Sequence, residues 1–586
     1  MGRGGAVINR MFPRLGRHAT PGFMLLAALA LFTAQTAPAL PDKGQPPLSE
    51  QTKRSGGPID PDQAKLRLDE ADLSFEVLPD RRRLNGRAAL TFTALAQAER
   101  IVLDLDSNFV VSSVVVDGAT LRPSDMSRPD GRLVLRVQGG LAAGRRTTVR
   151  VEYGGTPHVA VRAPWDDGVV WSSTPDGKPW FTTTAQGYGC DLFWPCVDHP
   201  TGEPASATLR ITVPAGLSAP SNGRLLGVDT LPDGRKTWTW RVRRPNTYGL
   251  ALNVAPYEEI SADHRSRFGN AIPMQFWHLP SRGVQARGLF AEFAPTLDFF
   301  EALIGPYPFA DEKMGVVETP HLGMEHQTIN AYGNEYRKAV EGFDWLFHHE
   351  FAHEWFANQM TAADWDDFWL HEGFATYMQP LYGRWREGEA RYAAMMDLQR
   401  QRIENKAPLI SGRSRTAEEV YETDKGGPGI DIYMKGSWIL HSLRGLIGDE
   451  AFLRATRRLV YGRPDPRPGN FAPRYASTAE FETLVREESG RDLGWFFDAY
   501  LRQAALPELI QQREGGRLRL RWKTPSARAF TVPVEVQVGS EIRRVEMPDG
   551  LAEIDVPEGQ RVVVDPPARV LKRSEAVEAM QAAARR

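Results

Sequence analysis

Trp345-Leu346-Phe347-His348-His349-Glu350-Phe351-Ala352-His353-Glu354-Trp355-Phe356, followed by Phe368-Trp369-Leu370-His371-Glu372-Gly373-Phe374-Ala375, decides how the rest of the chain is read. His349 and His353 are four residues apart, so on a helix both imidazoles leave from one face, one turn apart. Such a pair can occupy two corners of a tetrahedral zinc site. Glu350 follows the first histidine directly and points beside the metal, where it can take a proton from metal-activated water. Glu372, on a second helix, supplies an anionic third ligand. Two histidines and one glutamate leave the fourth position open, which distinguishes a catalytic zinc from a structural one. Histidine pairs at this spacing also fall on helix faces by chance. The chain has only 12 histidines in 586 residues, however, and this pair sits in an aromatic-rich helix followed by a second block bearing a glutamate. The pattern reads as a zinc site.

His349-Glu350-x-x-His353, eighteen intervening residues and then Glu372 resembles the gluzincin aminopeptidases, which include aminopeptidase N and leukotriene hydrolase. Three further blocks carry the resemblance. Leu322-Gly323-Met324-Glu325-His326 is similar to the Gly-x-Met-Glu-Asn exopeptidase motif, and Tyr433-Met434-Lys435-Gly436 to the Tyr-x-Lys-Gly block of the catalytic tyrosine. Gln186, eight residues before Trp194-Pro195-Cys196-Val197-Asp198, matches a substrate-contacting Gln or Glu of the family. The likeness spans roughly residues 60 to 505. Leu322, His326, Glu354 and His371 depart from the usual residues, which bears on substrate range rather than on the zinc.

The resemblance implies one zinc per chain, held by His349, His353 and Glu372. It gives Glu350 the role of base and Tyr433 that of donor to the oxyanion, and it gives Gln186, Gly323, Met324 and Glu325 to the substrate. Glu325 would hold a free α-ammonium by a charge-assisted hydrogen bond. The implied activity is removal of N-terminal residues from peptides. A leukotriene hydrolase-type epoxide hydrolase and a zinc-retaining peptide-binding scaffold are the alternatives, and a scaffold would have no need of Glu350 or Tyr433.

Composition sets outer limits. A chain of 586 residues exceeds what one core supports and should divide into several domains. Apolar content of 42% and charge content of 25% fit an ordinary globular protein. A formal net charge of −2 with interspersed signs offers no field for nucleic acid or an anionic membrane. No apolar run in the body of the chain is long enough to span a bilayer.

The first residues carry an address. Arg3, Arg10, Arg14 and Arg17 precede the apolar run from Phe23 to Phe32, and Ala37-Pro38-Ala39 offers a cleavage site. Residues 1–39 therefore read as a signal peptide, with an uncleaved anchor as the alternative, and the destination as periplasmic or secreted. Residues 40–60, rich in proline, glycine and polar residues, read as a linker.

From 61 to 255 the chain alternates with period two, as in Arg87–Thr93, Ile101–Leu105, Leu133–Val137, Ala207–Val213 and Lys236–Trp240. Asp117-Gly118 breaks the runs, so antiparallel β structure is expected. The family's domain there is a saddle-shaped sheet. Cys190 and Cys196, the only cysteines, are either a disulfide in an exported protein or an unpaired buried residue and its neighbour.

Residues 256–505 read as mostly helical, and the resemblance implies a thermolysin-like catalytic domain there. Leu289, Phe293, Leu297, Phe300 and Ile304 fall on one helix face, with Pro295 marking a kink or a restart. Met314–Glu318 reads as an edge strand along which a substrate backbone can add. Residues 438–503 read as helical. Residues 506–572 return to alternation and suggest a small β-sandwich.

The fold class is thus multidomain α+β. The tail, 573–586, is a short helix or unstructured. It is too short for the large closing domain of bigger family members, so a more open cleft accepting longer peptides is expected. Peptides are the expected partners, and a homo-oligomer in which a second subunit covers the cleft is the alternative to an open site.

Overall fold

The structure is a computed structural model that describes residue 45 and residues 47–337, 342–469 and 471–584. The signal-peptide reading of residues 1–39 lies outside the described residues. Among those described, no helix is long and apolar enough to cross a membrane.

Period-two alternation builds the N-terminal domain as expected. Along Ser206–Val213, Ala207, Leu209, Ile211 and Val213 are buried while the residues between them face outward. Eight strands form one sheet, in the spatial order 224–230, 236–243, 206–213, 66–78, 83–94, 146–155, 109–116 and 119–120. The pairing is antiparallel except between Leu66–Leu78 and Ser206–Val213, which run parallel because the long connection between them leaves and re-enters the sheet. Asp117 (φ 48°) and Gly118 (φ 85°) both take the left-handed conformation, the geometry of a tight hairpin turn. Strand Pro179–Thr184, paired with Gly168–Ser173 and Asn253–Val254, ends two residues before Gln186 and so carries it to the edge of the domain.

Residues 47–60, which composition reads as a linker, are packed. Thr52 is buried and its hydroxyl donates to Asp191 Oδ2 at 2.7 Å. Gly56, at φ 67°, lies so close to the Trp365 ring that a Cβ there would overlap it. The backbone N–H of Ala417 donates to Ser55 O at 3.2 Å. The segment seals the junction between the first two domains, where small residues allow close approach. Cys190 and Cys196 are joined as a disulfide in the loop that follows Gln186.

A five-stranded sheet opens the catalytic domain. Its central strand is β1 (Met314–Glu318), followed in sequence by β2 (Gly323–Met324) and β3 (Asn330–Tyr332). The spatial order is 258–265, 271–278, β1, β3, β2. β1 is therefore interior, not an edge, and its five residues are all buried. The outer strands are 258–265 and β2, and β2 pairs antiparallel to β3 through Gly323–Tyr332 and Met324–Ala331. Upstream, the helical run divides into Gly283–Phe290 and Phe293–Leu303, with Pro295 in the first turn of the second helix, where its missing N–H is harmless.

The helices of the site are α1 (Trp345–Ala352), α2 (Trp369–Glu387), α3 (Ala417–Tyr421) and α4 (Asp431–Ile447). The stretch 438–503 is not wholly helical, because Arg474–Ala476 pairs in parallel with Met360–Ala362. In the C-terminal domain, two three-stranded sheets bury Leu518, Leu520 and Trp522 from one side and Val534, Val536 and Val538 from the other. The tail forms the helix Glu575–Ala584, and Gln581 Nε2 donates to the carbonyls of Gln401 and Ile403.

Candidate active site

α1 begins where Asp344 caps it: one carboxylate oxygen accepts from Phe347 N at 3.0 Å and the other from Tyr332 OH at 2.6 Å. The cap ties the helix to strand β3. Stacking of Phe347 on Phe293, with centroids 4.6 Å apart, fixes its roll. The helix ends sooner than the motif suggests. His353 is its C-cap, still helical at φ −66° and ψ −15°. The following turn, Glu354–Gln359, widens and breaks at Phe356 (φ −111°, ψ 54°). Two buried contacts account for the break. Glu354 Oε1 accepts from Thr328 N at 2.8 Å and Asn330 Nδ2 at 2.9 Å, and the Phe356 carbonyl turns back to His353 Nδ1 at 3.1 Å. A carbonyl only accepts, so Nδ1 carries a proton, and Nε2 is the ring atom whose lone pair is available to a metal once its own proton is displaced.

That lone pair meets two others. His349 Nε2 and His353 Nε2 are 3.3 Å apart, and each is 3.3 Å from Glu372 Oε2. Zinc bonds of about 2.0–2.1 Å in a tetrahedron place ligand atoms about 3.3–3.4 Å apart, so the three atoms form one face of such a tetrahedron. Glu372 Oε2 is buried and outside hydrogen-bond geometry, an orphan that a cation satisfies. The residues fit a zinc ion.

Charge tells the same story. Glu325, Glu350 and His353 each offer a ligand atom within 4.8 Å of the others, so three carboxylates crowd around two imidazoles. Burial opposes charge on His353, yet Glu372, Glu325 and Glu350 together pull its pKa up to about 10. Burial likewise opposes ionisation of Glu372, but the charge of His353 and the neighbouring His349 hold its carboxyl well below the usual range. Burial pushes Glu350 up, and the like charges of Glu325 and Glu372 add to the rise. Three acids face one strongly basic imidazole, so the cluster is short of positive charge by an amount that a dication would supply.

α2 and α4 bring Glu372 and Tyr433 together through a glycine contact. A Cβ on Gly373 would lie 3.1 Å from Gly436 Cα, and one on Gly436 3.0 Å from Gly373 Cα, so the helix backbones touch. Tyr433, in the first turn of α4, has its ring 5.9 Å from that of His349. Burial keeps its phenol neutral. Lys435, two residues on and so on the opposite side of the helix, donates to the carbonyls of Gln503 and Ala504 and anchors α4.

On the other side, Gly323 sits against Glu350, and a Cβ there would overlap the carboxylate and Leu346. Met324 follows it on the edge strand. Glu325 is buried. It accepts from Tyr248 OH at 3.1 Å and from Gln186 Nε2, and its carbonyl accepts from Asn358 Nδ2 at 3.0 Å. Burial raises its pKa, with His353 opposing. Eight of the nine residues singled out from sequence are linked by these contacts, and Met324 lies buried between Gly323 and Glu325. His371, one of the departures, is not a ligand: its Nε2 accepts from Ala362 N at 2.7 Å, and burial pushes its pKa down to about 3. Sequence reading missed Tyr248 and Tyr421, whose hydroxyl donates to Gln186 Oε1 at 3.0 Å. Neither lies in a periodic or motif-bearing stretch that would have marked it.

Residues 312–500 match the Peptidase family M1 domain. A probable aminopeptidase 1 of Saccharolobus solfataricus is 23% identical over 420 residues, covering 66% of this chain and 50% of the relative. Aminopeptidase N of Haemonchus contortus is 26% identical over 49% of this chain and 31% of its own length. The chain thus spans about half the length, or less, of the curated relatives it matches. Among solved structures, an M1 zinc metallopeptidase of Deinococcus radiodurans, a variant bound to a Tyr-Ser-Ala substrate, aligns with TM-score 0.63 and 27% identity. That alignment covers 77% of this chain and 98% of the other. A two-domain M1 zinc metallopeptidase bound to L-tryptophan aligns equally well, at TM-score 0.63 and 26% identity, over 80% of this chain and 98% of that one. With a ligand triangle of zinc dimensions inside the matched region, residues 312–500 form a peptidase family M1 domain, and the relatives and solved structures place its likeness among the aminopeptidase N-like gluzincins.

Proposed function

We propose that this protein is an exported, zinc-dependent aminopeptidase that removes N-terminal residues from peptides. The observation that carries the reading is Glu325, a buried carboxylate in the same cluster as Glu350 and the ligand triangle and within 4.8 Å of the Glu350 carboxylate. A carboxylate so placed suits the ammonium of a residue whose carbonyl lies at the metal.

Held by His349, His353 and Glu372, one zinc ion per chain would act as a Lewis acid on the scissile carbonyl and lower the pKa of water. Glu350 takes the water proton and returns it to the leaving amine. Tyr433 donates its hydroxyl to the developing oxyanion. Glu325, backed by Gln186 and Tyr248, holds the substrate's ammonium, and the edge formed by Gly323 and Met324 offers main-chain groups to the peptide. The Deinococcus relative, bound to a tripeptide substrate, supports a peptide in this cleft. Export is supported by the address-like residues 1–39 and by the Cys190–Cys196 disulfide, a bond that persists in oxidising compartments.

The test compares free and N-acetylated versions of one peptide with wild type and Glu325→Ala. Acetylation should abolish most cleavage, and Glu325→Ala should slow the free peptide far more than the acetylated one. Equal losses on both would remove Glu325 as the anchor. Turnover of an epoxide with no turnover of free-amine peptides would favour the leukotriene hydrolase-like alternative. Fractionation of expressing cells tests the address, and an unprocessed cytoplasmic chain would refute export.

A further inference from the structure

Tyr421 has no part in the mechanism above, yet it sits between two residues that do. It ends α3, with its ring edge-on to Phe368 at 5.7 Å. Its hydroxyl is 3.0 Å from Gln186 Oε1, in the N-terminal domain, and 3.2 Å from the Tyr433 hydroxyl on α4.

Counting protons fixes the direction of this chain. Glu325 Oε1 accepts from Tyr248 OH and from Gln186 Nε2. The amide of Gln186 is thereby oriented, with its NH₂ towards Glu325 and its oxygen towards Tyr421. An amide oxygen only accepts, so the single hydroxyl proton of Tyr421 goes to Gln186. A hydrogen bond between the two phenols then requires the proton of Tyr433, with the Tyr421 oxygen as acceptor.

We propose that Tyr421 is a positioning residue that holds the Tyr433 oxygen in place and the Gln186 amide in its working orientation, joining the oxyanion donor and the amine anchor in one hydrogen-bonded chain. The inference rests on the aminopeptidase reading above. Without the Tyr421 hydroxyl, the Gln186 oxygen loses its donor, and the amide is free to turn an oxygen against the Glu325 carboxylate. Tyr433 meanwhile loses the contact that fixes its oxygen, so the proton that rests on Tyr421 and turns to the oxyanion in the transition state starts from an oxygen no longer held in place. The first loss weakens substrate binding and the second slows turnover.

The experiment makes Tyr421→Phe in three backgrounds: wild type, Tyr433→Phe and Gln186→Ala. It measures kcat and KM on a free-amine aminoacyl anilide, with zinc content for each protein. In the wild-type background kcat should fall about tenfold, as expected for one hydrogen bond, and KM should rise several-fold. In Tyr433→Phe the kcat effect should shrink below about twofold, and in Gln186→Ala the KM effect should disappear, because the partner is already gone. The same factors in all backgrounds overturn the proposal, as does a single variant within about twofold of wild type. Loss of zinc from Tyr421→Phe also overturns it, because phenylalanine keeps the ring packing and the hydroxyl would then be structural. An inactive parent protein overturns both this inference and the function it rests on, whereas an active parent with additive variants overturns this one alone.

Discussion

At the scale of single residues, the site depends on two groups that are not ligands. Glu350 is one helix position from His349, yet its carboxylate is not one of the three triangle atoms: it lies against Gly323 and within 4.8 Å of ligand atoms of Glu325 and His353. Glu350→Gln should therefore leave zinc binding intact and cost at least about a hundredfold in kcat, since the amide cannot take a proton. Metal analysis beside steady-state kinetics checks this, and near-wild-type turnover would sink the role of base. Gly323 gives a second test. Its missing side chain is what lets the Glu350 carboxylate lie against β2, so Gly323→Ala should lower kcat more than tenfold at unchanged zinc content. If that variant instead loses zinc, the glycine supports the ligands and not the base. The nine site residues differ in how far sequence revealed them. His349, Glu350 and His353 follow from helix spacing alone. Glu325, Gln186 and Tyr433 needed the family resemblance, because a lone carboxylate, amide or phenol carries no spacing signal.

At the scale of elements, the crossing of α2 and α4 sets the distance from Tyr433 to the zinc ligands. Gly373 and Gly436 meet backbone to backbone, leaving no room for a methyl group without displacement. Gly436→Ala should push the helices apart, at a cost of about 1–3 kcal/mol in stability. It should also lower kcat by moving the phenol, with KM little changed because Glu325 and Gln186 lie on other elements. Thermal unfolding and kinetics read the two effects separately. A variant of normal kcat would mean that α4 can shift without carrying Tyr433 out of reach. The pairing of these two glycines was not legible in the sequence, since the residues are 63 positions apart and each motif makes local sense without the other. The break after His353 was equally hidden: it arises from Thr328, Asn330 and the Phe356 carbonyl, none of which alters the apolar pattern of the helix.

For the whole molecule, the junction between the first two domains contains a buried acid whose hydrogen-bond partners, among the described residues, are neutral hydroxyls. Glu203, from the N-terminal domain, accepts from Thr361 at 3.2 Å and Tyr475 at 3.1 Å, both in the catalytic domain. Burial pushes its pKa from 4.5 up to about 8, with the two hydroxyls and Arg244 opposing. Between those values the folded protein keeps a proton that the unfolded chain has released. The stability due to this group is therefore complete below pH 4.5 and is lost as pH rises to about 8. The limiting slope is about 1.4 kcal/mol per pH unit. Glu203→Gln, which keeps the size and removes the titration, should flatten the fall in Tm between pH 5 and 8. A slope unchanged by that substitution would place the pH dependence elsewhere.

What the sequence determined by itself was whatever short-range periodicity encodes. Four-residue spacing put His349 and His353 on one face, and alternation marked the strands of the first and last domains, because helix and strand repeats act over a few residues of backbone. Tertiary structure decided the rest. It made residues 47–60 a packed seam instead of a linker, made β1 interior and β2 an outer strand, and joined the two cysteines. It also brought Glu372, Glu325, Tyr433 and Tyr421 around the histidines from four separate segments. Those meetings depend on which surfaces can touch: a glycine against a glycine, a strand end against a helix, a phenol reaching an amide 235 residues away in the chain. Such contacts are set by packing across the molecule, and no local pattern records them.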